Sequence, residues 1–423
     1  CSTDGIDRAA VLDHGRTVGG AALRKLTFKE RAAILKQAAV VLNEKLPEFY
    51  PIAFTYGATK VDAWIDIEGG IANLFAYAGL GKRSLPDATY LADDANTPLS
   101  KNGTFVGRHV MLPLEGVAVQ INAYNFPAWG MFEKFAVSFL AGMPSLVKPA
   151  TNTAWLAHRM VQVLVETEVL PAGTLQLICG SVGDLLDHMT CQDVVCFTGS
   201  AATAAKIKAH PMMVRNSVRL NAEADSLNCA VLGRDAAPAT PTFDLYVKEI
   251  VKEMTVMAGQ KCTAIRRALV PNEHVDAVVE ALKGRLARIT VGDPAVDGVR
   301  MGPLVDLDAR EEARANVALL AAEAEIVVGD PNRSDGFEGA DGVKGAFMEP
   351  VLLVCRDPEK AQAVHDVEAF GPVATVMGYA DDAQAIRLAR RGGGSLAASV
   401  FTEDGTWYLL VHTDCKHLGE DHL

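Results

Sequence analysis

GVAVQINAYNFPAWGMFEKFAVSFLAGMPSLVK, residues 116–148, is the stretch whose reading decides the fold. Its first seven residues form an apolar run, which predicts a strand over 116–122. Residues 126–143 then carry a helical pattern, and residues 145–148 form a second short strand. The alternation continues. A helix is predicted over 153–169, a strand over 175–179, a short helix over 185–189 and a strand over 194–197. A helix over 201–209 and a strand over 217–221 complete the series. Strands and helices that alternate in this way predict an α/β fold with a parallel, doubly wound sheet. Parallel strands are covered on both faces, so they read as continuous apolar runs rather than as alternating ones.

Upstream, Thr27-Phe-Lys-Glu30 is a capping box ahead of Ile34, Leu35, Ala38, Val41 and Leu42 at helical spacing. A helix is therefore predicted from Phe28 to about Leu46. Asn102-Gly103 lies between two extended stretches, 98–101 and 104–111. The pair suits a type I′ turn, whose central residues both need φ > 0. Residues 97–114 are thus a candidate hairpin arm for oligomerisation, with an ordinary surface hairpin as the plain alternative. Downstream, helices are predicted over 243–257, 275–289 and 309–324, and strands over 264–271 and 347–354. Residues 329–344, rich in Gly and Asp, read as a surface loop. The expected domains are a cofactor-binding domain over 1–222, a catalytic domain over 223–400 and a C-terminal remnant over 401–423.

The chain has 423 residues and a net charge of −12, with 49% hydrophobic and 22% charged residues. Its length suggests two domains. An acidic chain lacks the basic surface that nucleic acid requires, so no nucleic-acid partner is expected. The longest apolar stretch, 135–147, is broken by Ser138, Gly142 and Pro144 and is too short to span a bilayer, so no membrane role is expected. The eight cysteines include no C-x-x-C pair, which reads as a reduced, cytoplasmic chain. No H-E-x-x-H occurs either, and no metal site is expected. The N-terminal CSTDGIDRAA has no signal-peptide pattern; since it opens on Cys1, further residues are expected before it.

Several residues could carry chemistry. Cys262 follows Gly259, which breaks the preceding helix, and Lys261 and Arg266 are nearby positive charges. A cationic loop favours a thiolate nucleophile, whereas the plain alternative is a small buried hydrophobe. Glu223 comes just after a predicted strand and could act as a general base if burial raises its pKa; otherwise it is a salt-bridged surface residue. Asn125 follows the strand 116–122 and could donate to an oxyanion, or cap the next helix. Lys148 ends the next strand, where it could bind ribose or phosphate, or merely snorkel. Gly199 and Ser200 end a strand and open a helix, a setting that suits phosphate. No G-x-G-x-x-G is present.

Taken together in chain order, YNFP, VKPA, FTGS, a Glu after the last strand, GQKC and EAFGPV (368–373) resemble the aldehyde dehydrogenase superfamily. The resemblance runs from about residue 27 to 400. It implies a Rossmann-like cofactor domain, an α/β catalytic domain and a β-hairpin arm. It also implies oxidation of an aldehyde to an acid through a thiohemiacetal on Cys262. By the same resemblance Asn125 and the Cys262 N–H form the oxyanion hole, and Glu223 is the general base. Lys148 holds the adenosine ribose, Gly199 and Ser200 lie under the pyrophosphate, Glu368 binds the nicotinamide ribose, and Phe370 lies beside the ring. By the same resemblance, relatives that prefer NAD commonly carry an acidic side chain further along the cofactor domain that binds both ribose hydroxyls. Here Thr151, neutral and short, follows the Lys-Pro-Ala run and leaves Lys148 for a phosphate, so NADP is the expected cofactor, with NAD possible. A homo-oligomer is expected.

The runs INAYNFPAWGMFEKFA, ICGSVGDLLDH, EADSLNCAVLG and EMTVMAGQKCTAIRR are similar to one subfamily, the dehydrogenase part of PaaZ and its relative BoxD. That resemblance implies a semialdehyde carried on coenzyme A, in aerobic phenylacetate or benzoate degradation, with Lys261, Arg266 and Arg267 near the nucleophile as support for an anionic substrate. Two other readings compete: a CoA-acylating dehydrogenase, against which Glu223 speaks, and a non-catalytic protein on the same fold. The chain departs from the family at Ala204, where a glycine is frequent, and after 399–402, where parts of the family's pattern read as left out.

Overall fold

The protein is described here from a computed structural model that covers residues 3, 5–93 and 95–407. Residues 408–423, most of the C-terminal remnant expected from the sequence, lie outside the described residues. Backbone packing divides the chain into two units. The first comprises 1–53 with 63–224; the second comprises 54–62 with the chain from 225 onward.

In the first unit, short helices over Arg8–His14 and Gly20–Lys25 precede helix α1 (Phe28–Asn43), whose capping box is complete. Thr27 Oγ1 accepts from the Glu30 N–H (3.3 Å), and Glu30 Oε2 accepts from the Thr27 N–H (2.8 Å). The helix stops at Asn43, and a separate helix runs over Leu46–Phe54. Helix α2 (Gly69–Ser84) follows. Next come β1 (Ala118–Ile121), α3 (Pro127–Leu140), β2 (Ser145–Lys148), α4 (Ala154–Glu166) and β3 (Leu175–Leu177). β4 (Val194–Gly199), α5 (Ala201–Lys208) and β5 (Arg219–Ala224) complete the set. The sheet order is β3-β2-β1-β4-β5, parallel throughout. Val119, Leu146, Val195 and Phe197 are buried in one apolar cluster, which explains why these strands read as continuous apolar runs. Ala204 lies within α5, with its methyl packed on that cluster. The chain leaves β1 toward β2 and β3, then returns to place β4 on the other side of β1. The β1–β4 boundary is therefore the switch point, where ligands of doubly wound sheets bind outside the carboxyl ends.

The hairpin differs in its turn. Thr97–Pro98 pairs antiparallel with Val106–Gly107, and Leu91–Ala92 pairs with Val110–Met111. Gly103 has φ +68, while Asn102 is absent from the residues with positive φ, so this is not a type I′ turn. The loop is longer. Leu99 N–H donates to Phe105 O, Gly103 N–H to Ser100 O, and the Asn102 side chain accepts from the Ser100 and Thr104 hydroxyls. The side chain thus organises the turn as an Asx-type bridge.

The second unit contains β6 (Cys229–Leu232), α6 (Pro241–Thr255), β7 (Arg267–Pro271), α7 (Val275–Leu286) and α8 (Leu307–Ala321). They are followed by β8 (Glu325–Val328), β9 (Val351–Cys355), β10 (Val373–Tyr379), α9 (Asp382–Arg390) and β11 (Ala398–Phe401). Its sheet order is β8-β9-β10-β7-β6-β11, parallel except for β8 against β9. The two faces are covered by separate apolar clusters, one built with α6 and α7, the other with α8 and α9. Among the described residues no helix is long and apolar enough to cross a membrane.

Candidate active site

In the first unit, six of the residues singled out in the sequence stand at or near the carboxyl ends of the parallel strands. Asn125 follows β1 and is buried. Pro127 starts α3, its fixed φ suiting the first helical turn. The carboxylate of Asp66, itself fully buried, accepts from the N–H groups of Ala128 (3.1 Å) and Trp129 (2.8 Å). It thereby satisfies the orphan donors of α3 and fixes the turn that carries Asn125.

Lys148 ends β2 in register with Ile121 of β1 and is half-buried. Burial pushes its ammonium pKa below the usual value. No ion pair holds Lys148 among the described residues, so its charge suits a ribose or phosphate oxygen. Thr151 opens a short 3₁₀ turn over Thr151–Thr153 and is exposed; no side-chain cap hydrogen bond is formed at that turn or at α4. The capping role weighed for Thr151 is therefore not taken up. Gly199 ends β4, and Ser200 is the N-cap of α5, its hydroxyl accepting from Thr203 N–H at 3.3 Å. The Ser200 side chain is thus committed to the helix. Glu223 lies inside β5 rather than after it, because the ladder with β4 runs on through Thr198↔Glu223 to Gly199↔Ala224. It is half-buried, with Thr198 Oγ1 donating to its Oε2 at 3.4 Å.

In the second unit the residues gather at the opposite end of the strands. Ser226 and Asn228 precede β6, Cys262 precedes β7, and Glu368 and Phe370 precede β10, three neighbouring strands. Cys262 is half-buried in a turn. Its carbonyl accepts from Asn228 Nδ2 at 2.8 Å, and the same amide donates to Ala264 O at 3.0 Å. Cys229 and Cys355 are buried, as small hydrophobes would be; Cys191 is exposed.

Arg266 ties this end together. It donates to Glu368 Oε1 (3.3 Å), Gly371 O (2.8 Å), Gly259 O (2.9 Å) and Lys261 O (3.3 Å), and its guanidinium lies 5.4 Å from the Phe370 ring centroid. Ser226 N–H donates to the other Glu368 oxygen at 3.1 Å. Burial raises the Glu368 pKa, while Arg266 and that N–H pull it back.

The cationic setting read around Cys262 is largely spent on structure. Lys261 pairs with Glu253 (2.6 Å), Arg266 with Glu368, and the buried Arg267 donates to Leu227 O (2.8 Å), Leu388 O (2.7 Å) and Ala389 O (2.9 Å). Arginine's fork of donors suits this clamping of carbonyls. Asp66, Ser226 and Asn228 were not assigned from the sequence: a buried carboxylate or amide that binds backbone leaves no periodic signal.

Residues 10–415 match the aldehyde dehydrogenase family. The chain is 50% identical over 410 residues to the 3,4-dehydroadipyl-CoA semialdehyde dehydrogenase of Aromatoleum evansii, covering 96% of this chain and 79% of that one. It is 30% identical over 393 residues to a 1-pyrroline-5-carboxylate dehydrogenase of Bacillus cytotoxicus, covering 90% and 70%. The crystal structure of a betaine aldehyde dehydrogenase from Staphylococcus aureus in complex with NAD+ superposes with a TM-score of 0.83 at 25% identity, covering 96% and 78%. The chain belongs to the aldehyde dehydrogenase family and has its fold. It is an NAD(P)-dependent aldehyde dehydrogenase, an oxidoreductase acting on a small-molecule aldehyde.

Proposed function

We propose that this chain oxidises a semialdehyde carried on coenzyme A to the carboxylic acid, with NADP preferred, as a cytoplasmic step of aerobic phenylacetate or benzoate degradation. The observation that carries the substrate class is the 50% identity, across 96% of the chain, to a relative named for a CoA-linked semialdehyde. Lys261, Arg266 and Arg267 do not add to it, since each is engaged within the fold. For NADP the support is Thr151, neutral and not used as a cap, and Lys148, half-buried and without an ion pair among the described residues. An ammonium paired with a phosphate contributes roughly 1.5–3 kcal/mol, which would give a ten- to hundredfold preference.

The Cys262 thiolate adds to the aldehyde carbon, and Asn125 with the Cys262 N–H holds the oxyanion. Lys148, Thr151, Gly199 and Ser200 hold the adenosine and pyrophosphate side of the cofactor; Glu368 and Phe370 hold the nicotinamide side. A bound nicotinamide supplies one thing, acceptance of a hydride. The oxidised acyl group then sits on Cys262 as a thioester, and Glu223 takes a proton from the water that hydrolyses it. The hairpin exposes Leu99, Phe105, Val106, Val110, Met111 and Leu112, an apolar surface suited to contact with a second copy of the chain.

The test is steady-state turnover of a CoA-linked semialdehyde and of short free aldehydes, each with NADP and NAD, with product identification. The reading expects higher kcat/KM for the CoA-linked compound and free acid as product. Equal efficiency on a free aliphatic aldehyde overturns the substrate class, and an acyl-CoA product formed only with added CoA overturns the hydrolytic step.

A further inference from the structure

The chain ahead of Cys262 takes an uncommon path. After α6 ends at Thr255, Met257, Ala258 and Gly259 are all left-handed, with φ of +52, +51 and +70. Gly259 has no alternative, because a Cβ there would lie 2.1 Å from Gly371 O. Met257 and Ala258 have no such freedom. Side chains other than those of Gly, Asn and Asp are rare in this region, and the conformation persists only where surrounding groups impose it.

Much of the C-terminal part of the run is held by residues already described. Arg266 binds the carbonyls of Gly259 and Lys261. Gln260 Nε2 donates to Met257 O (2.9 Å), and Val305 N–H donates to Gln260 Oε1 (3.0 Å). The entry to the run is held from a distant part of the sequence. Asp62 Oδ1 accepts from Met257 N–H at 2.8 Å, across 195 positions. Its other oxygen, Oδ2, accepts from Thr59 N–H (2.9 Å) and Thr59 Oγ1 (2.7 Å), which aims the carboxylate. Asp62 is only 2% exposed. A carboxylate this buried is costly unless every oxygen is used, and here both are. Residues 54–62 belong to the unit that contains Cys262, although the chain on either side of them belongs to the other.

We propose that Asp62 is a positioning residue for the nucleophile: it clamps the Met257 N–H and so imposes the left-handed run from which Gln260, Lys261 and Cys262 are presented. This rests on the reading of Cys262 as the nucleophile. Without the clamp, Met257 relaxes toward the right-handed region, the direction of the segment after it turns, and the sulfur leaves its attack position. Asp62 acts through the Met257 N–H rather than on the reacting atoms.

The experiment is a double-mutant cycle between Asp62→Ala and Met257→Gly, since glycine takes up φ +52 without help. It is read by kcat, by KM and by the pH profile of Cys262 alkylation with iodoacetamide. Asp62→Ala is expected to lower kcat and the alkylation rate by about 100-fold, the cost of a displacement of about an ångström, with the cofactor KM little changed. Adding Met257→Gly is expected to recover at least about tenfold of that loss. Asp62→Asn, which keeps an acceptor oxygen, is expected to retain kcat within about fivefold. A kcat for Asp62→Ala within about threefold of wild type, or no recovery in the double variant, overturns the proposal. If Asp62→Ala does not fold, the double variant decides alone: a folded, active protein supports the clamp, and failure to fold shows a purely structural carboxylate and overturns it. Cys262→Ala is assayed in parallel. Its retaining activity would defeat the nucleophile reading itself, whereas a dead Cys262→Ala beside an unaffected Asp62→Ala defeats only the clamp.

Discussion

Gly259→Ala concentrates the reasoning about the nucleophile loop in one methyl group. At Gly259 the backbone has φ +70, and an added Cβ would lie 2.1 Å from Gly371 O and 2.5 Å from Gly371 C. Side-chain carbons do not approach closer than 3.0 Å, so the two backbones must part by about 1 Å. Gly371 cannot yield freely, because its oxygen already accepts from Arg266 Nη1 and from Val373 N–H, both at 2.8 Å. The strain therefore passes to Glu368 and Phe370 on one side and to Cys262 on the other. The left-handed backbone alone costs an alanine about 1–2 kcal/mol. At roughly 2–4 °C per kcal/mol this lowers the melting temperature by about 2–8 °C. A reacting sulfur displaced by about 1 Å lowers kcat by about 100-fold, equivalent to roughly 2.7 kcal/mol of barrier. The assay is cofactor reduction at saturating aldehyde, run well below the melting temperature, beside a thermal melt. Unchanged kcat together with an unchanged melt would refute the close approach of the two loops and the argument built on it.

Four further outcomes follow from the proposed roles and from one buried histidine. Cys262→Ala should abolish turnover while cofactor binding, read by fluorescence titration, stays near normal; more than trace activity refutes the nucleophile. Glu223→Gln should give a pre-steady-state burst of reduced cofactor and then stall, since the base acts on the thioester. Loss of the burst itself places Glu223 in an earlier step. Thr151→Glu should weaken NADP by at least about tenfold more than NAD, by repulsion of the 2′-phosphate, and equal losses count against that position. The last concerns His365, buried between Arg267 and Pro358, whose pKa is lowered to about 4 by burial first and by Arg267 and Arg391 after it. Between pH 6.5 and 4 the unfolded chain binds a proton there and the folded one does not. Stability contributed above 6.5 is lost as pH falls through that window, on the order of 3 kcal/mol. Melts of wild type and His365→Gln across that window should differ in slope, and parallel curves would show that His365 is not the group responsible.

Residues 116–148 open the argument for the parallel sheet of the first unit, and the alternation to 221 completes it, because strands covered on both faces must be apolar throughout and helices between them must carry one apolar face. The expected strand over 145–148 coincides with β2, and the expected helix over 201–209 with α5 to within a residue. The capping box at Thr27 was legible for the same kind of reason, since both of its bonds are local. β5 was read short, over 217–221, because an edge strand that includes Arg219, Asn221 and Glu223 has no continuous apolar run. β6, β8, β10 and β11 were not read at all.

The six motifs in order were enough to place the chain in its family. What they could not convey is how charges are used. Lys261, Arg266 and Arg267 read as a basic patch beside a nucleophile; in the fold they serve Glu253, Glu368 and a set of backbone carbonyls. Nor does any local pattern connect Asp62 to Met257, 195 positions apart, or assign residues 54–62 to the second unit. Periodicity and caps are properties of neighbouring residues and are written in the sequence. The partner of a buried charge, and the strain it sustains, depends on which distant segments are packed together, and that is decided only by the tertiary structure.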